Sequence, residues 1–236
     1  MESTNEIVRL SRTGENGELK LFSAVQMMQD CSDIWIDSEP AFKQYLQETN
    51  MAVFVASRQV NVIRTPLINE KLTITTSVFE YVGSYGYRNT IIYDEQGLPC
   101  YACWCIGAFV SLETGRMLIV PAEIAEKTVV DPKYDMDYLE RKIPIPENGY
   151  REYARIQVKR DDIDRNKHMN NAHYIRIANE FLPSDFNVKT FRIEYKTPAK
   201  LGDLLYPKVA KSDDGKMYVI LSNEKQKTNA VIEFVK

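Results

Sequence analysis

The stretch Asp162-Ile-Asp164-Arg165-Asn166-Lys167-His168-Met-Asn170-Asn171 places a carboxylate, an amide and an imidazole at every second position, directly before an amphipathic helical pattern. His168 is one of only two histidines in the chain. If 164–168 is extended, Asp164, Asn166 and His168 share one face, with Arg165 and Lys167 on the other. A carboxylate can orient an imidazole or draw a proton from water, and an amide can donate to an oxygen. The N-terminus of the following helix adds backbone donors and positive potential. Those parts suit attack of water on an activated carbonyl. The same spacing also fits a helix-entrance loop whose Asp and Asn side chains satisfy backbone groups, the role expected of Asn170 and Asn171. His173 reads as a partly exposed helix residue, with a second site histidine as the alternative.

Other chemistries find little support. There is no Gly-x-Ser-x-Gly nucleophile elbow. Two histidines five residues apart, without a ligand-spaced partner, make no metal site. Neither Gly-x-Gly-x-x-Gly nor a phosphate-binding Gly-Lys-Ser/Thr occurs, so no nucleotide cofactor is expected. Water attack without cofactor or metal remains.

The elements that must position this stretch read as one plan written twice. In the first half, Ser23-Ala-Val-Gln26 offers a capping box, and Ala24, Met27, Met28, Cys31, Ile34 and Trp35 mark one helical face. Strand-like runs follow at 52–63, 71–82, 86–94 and 98–112. In the second half, strand-like 151–160 leads to the polar stretch and a helix over 171–182, stopped by Pro183. Runs at 187–196, 203–210, 216–222 and 229–235 follow. Thr65-Pro66 with Leu72 matches Thr197-Pro198 with Leu204, leucine lying seven residues beyond threonine in both. The pattern predicts an α+β chain: two antiparallel sheets each wrapping a long helix, a double hotdog. The divisions are 1–122, a connector at 123–149, and 150–236 carrying the polar stretch.

Composition bounds the rest. The 236 residues are 44% hydrophobic and carry a net charge of −3, which argues against a bulk nucleic-acid binder. No apolar run approaches the roughly 20 residues that span a bilayer. The N-terminus lacks the layout of a secretion signal, so a cytoplasmic address is expected. Cys31, Cys100, Cys103 and Cys105 are expected as buried thiols, because three sit in one apolar strand-like run.

At these residues the chain resembles the acyl-acyl carrier protein (acyl-ACP) thioesterases of plastids and bacteria, over nearly its full length. The signature is Asp-x-Asn-x-His with Asn170-Asn171 and Tyr174-Ile175, supported by Ser57-Arg-Gln-Val60 and a strand around Trp104. The resemblance implies a double hotdog that hydrolyses fatty acyl-ACP, with Asp164, Asn166 and His168 as the catalytic trio and the first half as the acyl-chain pocket. It implies an acidic carrier-protein partner, for which Arg165, Lys167 and Arg176 are candidate docking cations, and it allows a homodimer. One departure stands out. Similar enzymes often continue Tyr-x-x-Glu after the helix, and plant members add cysteine; here Tyr195-Lys-Thr-Pro198-Ala199 supplies neither. Thr-Pro-Ala-x-x-Gly-Asp is similar to single-hotdog acyl-CoA thioesterases, so an acyl-CoA thioesterase and a noncatalytic acyl-thioester binder stay open as alternatives.

Overall fold

The computed structural model describes residues 1–126, 128 and 131–236. The chain forms two units, Met1–Ala56 with Val62–Tyr138, and Ser57–Asn61 with Leu139–Lys236. In the first, strands β1 (Glu2–Ile7), β2 (Met51–Val62, of which 51–56 and 62 belong here), β3 (Lys71–Val82), β4 (Tyr85–Tyr93) and β5 (Pro99–Ser111) lie in the order β1-β3-β4-β5-β2. The four predicted runs of this half thus fall within two residues of the observed strands. Helix α1 (Leu21–Ser38) packs on β1, β3 and β4. Its buried face includes Ala24, Met27, Met28, Cys31 and Trp35, whereas Ile34 is exposed. The predicted capping box is not used. The helix begins three residues earlier than that box would start it, Lys20 provides no side-chain cap, and Ser23 is buried inside the first turn.

A second helix, α2 (Pro40–Glu48), has no counterpart in the predicted elements. Pro40 at its start suits a position whose N–H would be unsatisfied in any case. Phe42 sits edge-on to Phe109 at 6.1 Å and joins Trp35, Met51, Val78 and Val120 in one apolar cluster. A single turn, α3 (Ala122–Ala125), follows β5.

The expected connector at 123–149 includes positions 127, 129 and 130, which lie outside the described residues. Its described part is closely tied to both units rather than free. Tyr134 N–H and Tyr138 O–H both donate to Asn89 Oδ1 at 3.0 Å, and the Tyr138 ring lies 5.3 Å from that of Trp104. Covering both faces of β5 explains why its sequence is a nearly unbroken apolar run rather than an alternation. All four cysteines are buried and none is in a disulfide, as expected of buried thiols. Ile143 is buried with Ala210, Tyr218 and Val231 of the second unit.

In the second unit, residues 57–61 of β2 pair with β8 (Thr190–Tyr195), followed by β11 (Thr228–Val235), β10 (Met217–Ser222) and β9 (Leu204–Lys211). The predicted strand 151–160 is instead two short pieces, β6 (Arg151–Glu152) and β7 (Ile156–Gln157), both paired with β9, then a 3-10 turn at Arg160–Asp162. Helix α4 (Asn171–Asn179) is 9 residues against 18 for α1, shorter than the predicted 171–182. Phe181 and Leu182 continue its apolar surface as a half-buried turn. Each unit is an antiparallel sheet around a helix, and the chain is a double hotdog.

The repeat is closer in backbone than in sequence. Isolated bridges Thr13–Leu19 and Ile163–Met169 close the same loop before each helix, 150 positions apart. Gly14 N–H donates to Glu18 O at 2.8 Å, and Asp164 N–H to His168 O at 2.9 Å. Leu19 N–H meets Pro66 O as Met169 N–H meets Ala199 O, both at 2.8 Å. That last pair corrects the sequence match. Pro66 corresponds to Ala199, not Pro198, so the Thr-Pro alignment is one residue out of register. The buried partner of Leu72 is Leu205, while Leu204 is half-buried, as a one-residue slip in a strand requires.

Candidate active site

Residues 164–168 form a tight turn, not the extended strand that the alternation predicted. Lys167 N–H donates to Asp164 O at 3.0 Å, and Lys167 takes a left-handed backbone with φ 61°. Its counterpart in the first unit is Gly17, φ 77°. With Ile163 and Met169 bridged, Asp164 and His168 are opposed across the neck of the loop, where opposed residues share a face. Both are half-buried. Asn166 lies at the exposed tip, its N–H donating to Asp164 Oδ1 at 2.8 Å. The loop therefore brings Asp164 and His168 together by backbone pairing, while Asn166 is tied to Asp164 through its main chain.

The loop delivers its residues onto the N-terminus of α4. Asn170 caps that helix by accepting from Ala172 N–H at 2.9 Å, the backbone-satisfying role expected of it. Tyr174, fully buried, accepts from Ala199 N–H through its hydroxyl at 2.9 Å. Burial pushes the Tyr174 phenol up to about 12 despite that bond, with the Asp203 and Asp164 carboxylates adding to the shift. It stays a neutral hydroxyl at physiological pH. Ala199 thus contacts the site only through its backbone: its N–H serves Tyr174 and its carbonyl serves Met169, the residue after His168. Pro198 is exposed. Glu194 is buried on β8, opposite Val231 and Ser57, with Lys196 Nζ at 3.4 Å.

Sequence reasoning passed over Asp162. It is 5% exposed, and its carboxylate gathers Lys159 N–H at 2.8 Å, His173 Nδ1 at 2.7 Å and Arg176 Nη2 at 2.8 Å. Burial opposes its ionisation, but the Lys159 N–H, the His173 ring and the Arg176 guanidinium outweigh that and hold its carboxyl below the usual range. A signal was available: His173 and Arg176 are three apart on one helical face and invite an acid between them. Of the candidate docking cations, Arg165 and Lys167 are exposed, and Arg176 is engaged with Asp162.

A cleft of about 800 Å³ runs along β1, β3 and the β4–β5 turn, lined by Glu6, Arg9, Lys71, Asp94 and Glu95 among others. Its lining holds none of the trio, and its charge ill suits an alkyl chain. Among the described residues, no helix is long and apolar enough to cross a membrane.

Family models for the two domains of acyl-ACP thioesterases match the chain, the N-terminal one over residues 3–128 and the C-terminal one over 147–236. The chain belongs to the acyl-ACP thioesterase family. Membership makes it a thioester hydrolase acting on fatty acyl-ACP, as the polar stretch and its neighbours imply. Among solved structures, an acyl-ACP thioesterase from Bacteroides thetaiotaomicron superposes with a TM-score of 0.89 at 17% identity, covering 99% of this chain and 96% of that one. A 12:0-ACP thioesterase from Umbellularia californica gives 0.84 at 14% identity, covering 98% and 95%. At such identities the superpositions speak for the double-hotdog fold alone. No curated protein matches the chain.

Proposed function

We propose that Asp164, Asn166 and His168 carry the hydrolysis of fatty acyl-ACP, with water as nucleophile and no metal. Water attacks the thioester carbonyl and gives a proton to His168. The tetrahedral intermediate then collapses, the C–S bond breaks, and the proton passes to the carrier's departing thiolate. Asp164 holds His168 or the water, and Asn166 positions the water or the carbonyl. The observation that carries this reading is the opposition of Asp164 and His168 at a helix N-terminus, in a loop whose first-unit copy has Gly14 and Glu18 there. Because Pro198 and Ala199 offer no side-chain acid or thiol, Asp164 is the acid of the site.

The exposed Arg165 and Lys167, together with Arg176, would meet an acidic carrier protein. Met27 and Met28, both fully buried on α1, are the flexible side chains that would yield to an acyl chain in the first unit. A cytoplasmic address and, from the resemblance, pairing of two copies belong to the same reading. Mass spectrometry after incubation with matched acyl-ACP and acyl-CoA chains tests it. Free acid released faster from ACP is expected. Faster release from CoA would favour the acyl-CoA reading, and thioesters bound but intact would make the protein a binder.

A further inference from the structure

We infer that Asp162 is a positioning residue for the 163–169 loop, an inference that rests on the trio reading above. One residue holds both ends of the loop and the helix behind it. Its carboxylate accepts from Lys159 N–H, which closes the 3-10 turn leading into the loop. Its carbonyl accepts from the N–H of Asn170, the capping residue at the loop's exit, at 2.8 Å. Its second oxygen takes His173 and Arg176, both on α4.

The first unit shows that the loop does not need this cluster to form. There the equivalent position is Arg12, whose carbonyl still accepts from Lys20 N–H at 3.0 Å, but whose guanidinium turns to Glu6 at 3.0 Å. Ser23 and Gln26 stand where His173 and Arg176 do. The backbone bonds recur without the buried carboxylate, so folding the loop is not the reason for burying one. A buried carboxylate is costly unless fully paired, and here it is paired to the helix into which the loop runs. What it adds is a fixed spacing between that helix and the loop. The reaction is sensitive to such spacing, because displacements near 1 Å lower turnover about a hundredfold.

Steady-state kinetics of Asp162→Asn on acyl-ACP test this. Turnover should fall by ~10- to 100-fold with KM within about twofold and a cooperative melt retained. Arg176→Lys should keep more turnover than Arg176→Gln, since it preserves the cation facing Asp162. Combined with Asp164→Asn, the loss should be smaller than the product of the two single losses, because both act on one step. A multiplicative loss, a change in KM alone, or wild-type turnover in Asp162→Asn would overturn the inference. Wild-type turnover in Asp164→Asn alone would instead overturn the trio, so the two failures are distinct. If Asp162→Asn does not fold, His173→Gln carries the same comparison.

Discussion

The loop at 12–21 and the loop at 162–171 share a backbone and differ in nearly every side chain that could do chemistry. Each opens on a 3-10 turn, closes with one bridge, passes through a left-handed residue and runs into the first turn of a helix. Gly14, Asn16 and Glu18 occupy in one the places of Asp164, Asn166 and His168 in the other. The amide is common to both; the acid and the imidazole are not. A duplicated scaffold therefore separates what folds the loop from what the loop does. Main-chain bonds and a capped or buried helix start suffice for the first. An imidazole opposite a carboxylate and a buried ionic brace are reserved for the second.

Several substitutions would break or sharpen that contrast. The largest effect is expected from His168→Ala, which should lower turnover by about a hundredfold or more while leaving the melting temperature nearly unchanged, since the first loop folds without histidine. Steady-state assay with a thermal melt decides it, and parallel loss of both would make His168 structural. Next, Tyr174→Phe strands the buried Ala199 N–H. It should cost about 1–3 kcal/mol in urea unfolding, whereas Ala24, the first-unit counterpart, offers no such bond. Reversing Arg165 and Lys167 to Glu should raise KM for acyl-ACP by roughly tenfold and spare a small acyl thioester; equal loss on both substrates would remove these cations from docking.

The pH dependence of stability should also distinguish the loops. Asp162 keeps its charge to lower pH in the native state than in the unfolded one, whose ordinary value is 3.8. Its contribution is complete above that value and lost as pH falls through the native one. The stability gap between wild type and Asp162→Asn, measured by urea unfolding, should therefore close as pH falls below 3.8, whereas the first loop carries Arg12 at that place and has no carboxylate there to titrate. The smallest effects concern the left-handed position. Lys167→Gly should stabilise by about 0.5–1 kcal/mol and Gly17→Ala should destabilise by a similar amount.

Much of the fold was legible because strand alternation and turn residues are local signals. The runs that became β2 to β5 and β8 to β11 fall close to their final bounds, and the polar stretch was found from three residue types at fixed spacing. What failed was information that the sequence does not carry locally. Alternation at 164–168 looks the same in a strand and in a tight turn, and only the pairing of Ile163 with Met169 separates them. Ser23 has the chemistry of a cap, but packing extends α1 past it. The Thr-Pro match slipped by one residue because identical letters outweighed the burial of Leu72 and Leu205. Asp162 was passed over because its partners lie 11 and 14 residues downstream and meet it only once α4 folds back onto the 3-10 turn.

The most direct test of the account is release of free fatty acid from acyl-ACP by the wild type and by Asp164→Asn, each confirmed folded. The wild type should release acid steadily and the variant should lose about a hundredfold or more of that rate, with the acyl-ACP left intact. Equal release by both would contradict it and move the chemistry away from the second loop.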